Sequence, residues 1–272
     1  MKISIITVNY NDKIGLQKTI DSVITQTWKE FEFIVIDGNS NDGSKEIIAN
    51  HEKDFTYSVS EADKGIYHAM NKGIKVAKGE YLLFLNSADI LKEENTLRNL
   101  IGHLESGKQI YYGDVIYQET NKQRERMFPD ELSFLFFIET SLSHQATFIK
   151  RELFDSIFLY NEDYKIVSDW EFFVYAICKA NVSYERIPQF VTIYDTTGVS
   201  SREDNHPLMY AERDLSLNQH FPAFVKDYEN VAALGSKRAK QFLWIRQHNI
   251  AWKILKGFLS LTLVFLPTQK NK

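Results

Sequence analysis

The stretch "LLFLNSADIL" (82–91) contains the pattern that decides the fold. Its uninterrupted apolar run predicts a strand buried on both faces, and the run stops at the polar tip Asn86-Ser87-Ala88-Asp89. A segment of helical character, "ILKEENTLRNLIGHL" (90–104), follows the tip. Asp89 is therefore either a metal ligand at the mouth of a sheet or a cap of that helix.

The same strand, polar tip and helix occur three times before this stretch. Buried strands are predicted over "ISIITV" (3–8) and "FEFIVID" (31–37). A third strand is predicted over "TYSVS" (56–60), and each of the three is followed by turn residues and then by helical spacing of apolar residues. Strands that alternate with helices indicate an α/β fold with a mostly parallel sheet and helices on both faces. The carboxyl ends of parallel strands share one edge, where ligands bind. The polar residues expected at that edge are Thr7, Asn9, Asp37, Glu61, Asp63, Asn86 and Asp89.

Composition excludes several classes of protein. The chain has 272 residues, 44% of them hydrophobic, which is enough for one large domain with a substantial core. Its formal net charge of -4 argues against nucleic-acid binding. A single cysteine, Cys178, excludes an internal disulfide, and the N-terminal segment resembles a strand rather than a signal peptide, so we expect a reducing, cytoplasmic location.

The motifs of known nucleotide sites are missing, yet the chain resembles a known family. Neither Gly-x-Gly-x-x-Gly after the first strand nor a P-loop is present. The remaining alternative for a nucleotide site is one held by carboxylates and a metal. The segments that carry the resemblance are "ISIITVNYND", "FEFIVIDGNSNDGS", "DKGIYHAMNKGIKVAKGEYLLFLNSAD", "SHQATFIKRELF" and "SDWEF". Together they resemble the family 2 glycosyltransferases of the GT-A fold, in the branch found in bacterial polysaccharide and O-antigen clusters.

The resemblance implies a donor site for a nucleotide-sugar at the predicted sheet edge. A carboxylate at the end of the second strand can accept the N–H of a uracil-like base. A lysine after the third strand can contact the phosphates. The residues that the resemblance places in the donor site are Thr7, Asn9, Asp37, Asp63, Lys64, Asn71, Asn86, Ser87 and His144.

The resemblance also implies a Mn²⁺ or Mg²⁺ ion at the tip of the fourth strand, bridging the diphosphate. The family's usual Asp-x-Asp pattern is reduced here, because Asn86 and Ala88 leave only Asp89 acidic. One carboxylate can suffice when phosphates and waters supply the other ligands. Asp89 is the predicted metal ligand, with helix capping as the alternative.

The catalytic candidate is Asp169 in "YKIVSDWEFF" (164–173), which resembles the family's Glu-Asp motif with Ser168 in the Glu position. An inverting transfer needs one carboxylate to take the proton of the acceptor hydroxyl. Asp169 is the predicted base, and a cap of the following helix is the alternative. His144 faces the donor phosphates or the acceptor by resemblance, although a lone histidine is often structural.

The C-terminal segment has a different character. No acidic residue follows Glu229, whereas eight basic residues do, together with Trp244, Trp252 and the apolar run "GFLSLTLVFLP" (257–267). A basic amphipathic helix of this kind is typical of attachment to an anionic membrane surface, here through residues 237–267. The alternatives are packing on the catalytic domain and a homodimer contact.

These observations predict residues 1–108 as the nucleotide-sugar-binding half, 109–225 as the acceptor-binding and catalytic half, and 226–272 as a basic helical tail. The predicted function is an inverting, metal-dependent transfer of sugar from a UDP-sugar to a lipid-linked saccharide in surface polysaccharide synthesis, at the inner face of the membrane. Two alternatives remain, a catalytically weak nucleotide-binding scaffold and a nucleotidyltransferase.

Overall fold

The computed structural model describes residues 2–119, 122–198, 202–225, 227 and 235–266. Contacts divide the chain into two compact units, Met1–His220 and Phe221–Lys272. The first unit therefore combines the two halves predicted for residues 1–225, and the second unit corresponds to the predicted tail. Parts of that tail, residues 226, 228–234 and 267–272, lie outside the described residues.

The first unit contains a mixed sheet between helices. Its described strands are β1 (Ile3–Asn9), β2 (Phe31–Asp37), β3 (Tyr57–Ser60), β4 (Tyr81–Phe84), β5 (Ile90–Leu91), β6 (Ile110–Gln118), β7 (Gln123–Arg126), β8 (Thr147–Lys150) and β9 (Tyr184–Asp195). Its described helices are α1 (Lys13–Ile24), α2 (Ser44–Asn50), α3 (Ile66–Val76), α4 (Thr96–Leu100), α5 (Phe134–Glu139), α6 (Glu152–Ser156), α7 (Ser168–Cys178) and α8 (His206–His220).

The strand order is β3-β2-β1-β4-β8-β6-β9-β5, with β7 paired to β6. Strands β1 to β4 are parallel, as the repeated strand–helix cycle predicts, and β1, β2 and β4 are almost completely buried. Strand β8 then enters antiparallel between β4 and β6, and β5 pairs antiparallel with β9. The α/β class is confirmed, while the sheet is mixed rather than mostly parallel.

Helix α3 packs closely on β1, and a glycine makes this approach possible. A Cβ atom at Gly73 would lie 2.4 Å from the Cγ2 atom of Ile6. The buried positions of α3 include the apolar side chains of Ala69, Met70 and Ile74, whereas Ile66 at the start of the helix is exposed. The close approach of Gly73 to Ile6 holds α3 against β1.

The segment after β4 differs from the sequence prediction. Strand β5 begins at Ile90, directly after Asp89. The following helix, α4, begins only at Thr96, and Asn95 is its N-cap residue. Asp89 therefore does not cap a helix, and the capping alternative is wrong. The short strand forms because Ile90 and Leu91 pair with Ile193 and Thr192 of β9.

The second unit contains two described helices, α9 (Lys237–Arg246) and α10 (Asn249–Leu263). The Ser236 hydroxyl caps α9 by accepting from the Ala239 N–H at 3.2 Å. The rings of Phe242 in α9 and Trp252 in α10 meet edge to face, with centroids 5.3 Å apart. The predicted helical tail is confirmed over these residues.

Candidate active site

The ends of β1, β2 and β4 are joined by side-chain hydrogen bonds. The Asn9 amide donates to Asp37 Oδ1 at 2.7 Å and to Ser40 Oγ at 3.2 Å, and Asn9 Oδ1 accepts from the Ser87 hydroxyl at 2.8 Å. Because β1 and β2 run in register, Asn9 lies directly beside Asp37. Three of the predicted donor-site residues, Asn9, Asp37 and Ser87, therefore form one connected group.

Asp37 is buried and ionised. Burial raises the pKa of its carboxyl, but hydrogen bonds from the hydroxyls of Ser40 and Ser60, the Asn9 amide and the Ser40 N–H outweigh burial, so the pKa lies below its ordinary value. The Ser40 N–H and Ser60 hydroxyl both donate to Oδ2, at 3.0 and 2.5 Å. A fixed negative charge therefore lies at the end of β2.

Asp63 and Lys64 lie on the loop after β3, and the loop approaches the end of β2. A Cβ atom at Gly38 would lie 2.6 Å from Asp63 Oδ2, so the space that glycine leaves admits this carboxylate beside Asp37. Asp63 Oδ1 accepts from the Gly65 N–H at 3.0 Å. Lys64 is exposed, and this leaves its ammonium group accessible to an anion.

Two other predicted donor-site residues make structural contacts. The Thr7 hydroxyl is fully buried and donates to the Leu85 carbonyl at 2.7 Å, which ties β1 to the tip of β4. The Asn71 amide donates to the Tyr160 carbonyl at 2.8 Å and to Glu162 Oε1 at 3.0 Å, and its Oδ1 accepts from the Tyr160 N–H at 3.1 Å. Asn71 thus holds the segment before α7 rather than pointing an unused group at the sheet edge.

The tip after β4 is a tight turn supported by α1. Ala88 adopts a φ of 75°, in the left-handed region, and the Asp89 N–H donates to the Asn86 carbonyl at 3.0 Å. The Thr19 hydroxyl donates to the Asp89 carbonyl at 2.8 Å. Because a Cβ at Gly15 would lie 2.8 Å from the Ala88 nitrogen, α1 can approach the turn only with glycine there.

Asp89 is a buried acidic side chain at the β4 tip. Its side chain accepts from the Asp195 N–H at 3.0 Å and is 3% exposed. Burial raises the pKa of Asp89 to about 7, even though His144, the Asp195 N–H and Gln145 act in the opposite direction. A divalent cation would offset this desolvation cost, because it favours the ionised form.

Asn86 provides a second oxygen at the same tip. Its Oδ1 is buried and has no hydrogen-bond partner among the described residues. No cluster of three or more His, Cys, Asp or Glu side chains able to hold a metal occurs in the part of the chain that the structure describes. The tip therefore fits a divalent cation that takes one protein carboxylate and completes its coordination with phosphate oxygens.

Asp169 lies in the first turn of α7 and is held by two side chains. The Tyr67 hydroxyl donates to Asp169 Oδ1 at 3.0 Å, and His144 Nδ1 lies 2.8 Å from Oδ2. Burial raises the pKa of Asp169. The hydrogen bond from His144, the charge of His144 and the hydrogen bond from Tyr67 outweigh burial, so the pKa lies below its ordinary value. The N-cap residue of α7 is Val167, so the alternative that Asp169 or Ser168 caps this helix is wrong.

His144 links Asp169 to the β4 tip. Because Asp169 is ionised, Nδ1 of the imidazole carries a hydrogen and donates to it. The Asn86 side-chain amide lies 3.1 Å from Nε2, within hydrogen-bond distance. The order Asn86, His144, Asp169, Tyr67 therefore forms a continuous chain of hydrogen bonds from the β4 tip to α3, which we call the tip–base chain.

Sequence reasoning missed Tyr67, Gln145 and the hydroxyls of Ser40 and Ser60. Tyr67 lies on the buried stripe of α3, where a phenol is indistinguishable from a packing residue until its hydroxyl finds a partner. Gln145 is buried next to His144 in the 3-10 turn His144–Ala146. No sequence spacing connects residues 67, 86, 144 and 169, because four separate elements contribute them.

Comparisons with known proteins identify the family. The family model described as "Glycosyl transferase family 2" matches residues 4–164. A "PGL/p-HBAD biosynthesis glycosyltransferase" of Mycobacterium bovis is 36% identical over 175 residues, which cover 62% of this chain and 67% of that protein.

Solved structures share the fold. S. aureus TarS 1–349 in complex with UDP-GlcNAc gives a TM-score of 0.64 at 18% identity. The match covers 81% of this chain and 68% of the TarS 1–349 chain. In the longer TarS structure, the match covers 43% of the TarS chain. The mannosyltransferase PcManGT from Pyrobaculum calidifontis, in complex with GDP-Man and Mn²⁺, gives a TM-score of 0.60 at 16% identity, covering 96% and 80%.

Proposed function

The chain belongs to glycosyl transferase family 2, and from that premise we propose that it catalyses an inverting, metal-assisted transfer from a UDP-sugar to a saccharide hydroxyl. The observation that carries the proposal is the tip–base chain, which links Asn86 at the candidate metal tip to the ionised carboxylate of Asp169. We further propose a lipid-linked saccharide acceptor and a role in surface polysaccharide synthesis.

Asp37, Asn9 and Asp63 make the base-binding side of the donor site. Asp37 is ionised and fixed by its neighbours, so it can accept the N–H of a uracil ring, and Asn9 keeps it oriented. Lys64 provides a cation for the diphosphate from the loop after β3. Ser87 contributes by orienting Asn9, whereas Thr7 and Asn71 support the site through backbone contacts. The UDP-GlcNAc complex of TarS, a protein with the same fold, is in keeping with a UDP-sugar donor.

Asp89 would hold the Mn²⁺ or Mg²⁺ ion, with Asn86 Oδ1 as the neighbouring oxygen. When bound, the ion supplies positive charge to the departing diphosphate. The turn at Ala88 and the Thr19 hydroxyl keep Asp89 at a defined position without further ligands from the protein. The Mn²⁺ bound to the mannosyltransferase of the same fold supports this assignment.

Asp169 acts as the general base. The acceptor oxygen attacks the anomeric carbon, its proton passes to the Asp169 carboxylate, and the bond between the anomeric carbon and the β-phosphate oxygen breaks to release UDP. His144 is a positioning residue, because its Nδ1–H keeps the carboxylate ionised and directed. Tyr67 does the same from α3.

The test is Asp169→Asn, measured as UDP release from the UDP-sugar that turns over with the wild-type protein, beside calorimetric binding of UDP. We expect a loss of about two to four orders of magnitude in turnover, the usual contribution of a general base, with UDP affinity unchanged. Turnover that survives with unchanged UDP binding would remove Asp169 as the base.

The reduced acidic tip favours one second candidate, a catalytically weak nucleotide-binding scaffold. Asn86 and Ala88 occupy positions where the family usually has carboxylates. This candidate predicts UDP binding that ignores Mn²⁺ and no UDP release in the presence of any UDP-sugar. Metal-dependent turnover would exclude it.

A further inference from the structure

Helix α10 carries apolar side chains on two sides, and the side with Trp252 contacts α9. Trp252 contacts Phe242 of α9, and helical spacing puts Leu255 on the same side of α10. A second stripe follows the spacing i, i+4, i+8, i+11 and i+15, and its side chains are between 62% and 81% exposed. We call this stripe the outer apolar face; it consists of Ile250, Ile254, Phe258 and Leu261 of α10 and of Phe265, which follows the end of the helix.

Basic residues accompany the outer apolar face. Lys253 and Lys256 are exposed on α10; Lys253 lies one turn after Ile250, at the edge of the stripe, and Lys256 lies one turn after Lys253, farther round the helix. The 43 residues after Glu229 contain eight of the 32 basic residues of the chain and none of the 36 acidic ones. Exposed apolar side chains next to unbalanced positive charge are complementary to a lipid surface, whose anionic headgroups cover an apolar layer.

The length of α10 indicates whether the helix would cross a bilayer or lie in its interface. None of the helices in the described residues has the length and hydropathy needed to cross a bilayer. With 15 residues, α10 is about 22 Å long, whereas the hydrocarbon core measures about 30 Å. A helix of this length with lysines beside its apolar stripe is suited to lie in the plane of the interface.

A second copy of the chain is the competing occupant. In a symmetric contact, α10 would face its own copy and two basic tails would come together. Such a contact gains apolar burial but leaves the positive charge unbalanced. Anionic headgroups balance that charge at the depth where the lysine ammonium groups lie.

We propose that the outer apolar face of α10 is a docking surface for an anionic lipid bilayer, with Lys253 and Lys256 contacting the headgroups. The other side of α10 keeps its contact with α9, so attachment leaves the tail helices folded together. This surface does not rest on the proposed function, because binding to lipid needs neither UDP nor a base.

The test is flotation of the full chain with vesicles of phosphatidylglycerol and phosphatidylcholine, compared with vesicles of phosphatidylcholine alone. We expect the double variant Ile254→Ser/Phe258→Ser to lose at least tenfold in vesicle affinity, because two apolar side chains no longer enter the bilayer. The matched control is Leu208→Ser/Tyr210→Ser, which removes two exposed apolar side chains from α8 and should bind like the wild type.

A charge variant separates the two parts of the surface. Lys253→Gln/Lys256→Gln should weaken binding to anionic vesicles by roughly fivefold per lysine and leave little dependence on salt. Circular dichroism and UDP calorimetry verify that every variant is folded, because neither should change.

Three outcomes overturn the proposal. The first is equal flotation of the α10 serine variant and the wild type, and the second is equal binding to vesicles with and without phosphatidylglycerol. The third is a lipid-free dimer that becomes monomeric in the α10 variant, together with no vesicle binding by the wild type; this would assign the face to a second copy.

Discussion

Replacing His144 tests whether this residue controls the charge of Asp169. In the wild-type protein the Nδ1–H of His144 lies 2.8 Å from Asp169 Oδ2, and the second donor to this carboxylate is the Tyr67 hydroxyl. Burial acts against both donors, since it raises the pKa of Asp169. His144→Phe keeps a ring in the site but removes the donor, so burial should dominate and the carboxylate should protonate at a higher pH.

The magnitude follows from the hydrogen bond that is lost. A hydrogen bond to a charged group contributes about 1.5–3 kcal/mol, which corresponds to roughly a tenfold to hundredfold change in an equilibrium constant. Because only the ionised carboxylate can accept a proton, kcat/KM of His144→Phe should fall by about that factor below neutral pH. The loss should diminish as the pH rises and Asp169 ionises again.

Two measurements check this prediction. UDP release as a function of pH gives the acidic limb of kcat/KM, which should move to higher pH in His144→Phe. Carbon NMR of aspartate-labelled protein gives the titration of Asp169 directly, and Asp169→Asn identifies its signal. Tyr67→Phe is the matched control, because it removes the other donor and should move the limb in the same direction.

The reasoning is refuted if His144→Phe lowers kcat/KM equally at every pH and the NMR titration of Asp169 stays where it is. His144 would then act on the substrate or on folding, not through Asp169. A limb that moves to lower pH would contradict the assignment of Nδ1 as the donor.

Three further predictions concern the donor site. Asp89→Ala should abolish the Mn²⁺-dependent part of UDP binding in calorimetry, and UDP binding that ignores Mn²⁺ and survives the substitution would contradict Asp89 as a ligand. Asp37→Asn should lower the free energy of unfolding at neutral pH by roughly 1–3 kcal/mol. The difference in unfolding free energy between wild type and Asp37→Asn should shrink as the pH falls from the ordinary Asp pKa through the lowered pKa of Asp37, because Asp37 stabilises the fold only while it is ionised. Denaturant titrations at several pH values measure this difference. Gly38→Ala should displace Asp63 and weaken UDP binding about tenfold, the loss of one charged contact, with little change in Tm.

The sequence predicted the parallel half of the sheet well because three of its strands, β1, β2 and β4, are short, mostly apolar and followed by polar tips. β1, β2 and β4 begin and end within about two residues of the predicted runs, since burial on both faces leaves a clear signal. The antiparallel insertion of β8 between β4 and β6 could not be predicted in this way. Its position depends on contacts between distant segments, such as Leu82 with Ile149.

The candidate site was predicted residue by residue but not as an arrangement. Asp169 and His144 were separate candidates, with no reason in the sequence to pair them, and the hydrogen bond between them exists because the turn at 144 and the first turn of α7 pack together. Asn71 is the opposite case. Its polar side chain suggested a ligand contact, but its amide donates hydrogen bonds to the Tyr160 carbonyl and to Glu162. Side-chain type indicates what a residue can bind; only packing decides which partner it meets.

The replacement of a carboxylate by Asn86 has a physical consequence for Asp169. An aspartate at this position would place a second negative charge beside Nε2 of His144, and a ring between two carboxylates is held as the imidazolium, with both nitrogens donating. The Asn86 side chain instead places an uncharged amide 3.1 Å from Nε2. Of the two neighbours of the ring, only Asp169 is then a carboxylate, and Nδ1 donates to it. Because of this hydrogen bonding, the polarity of the β4 tip bears on the charge state of the proposed base.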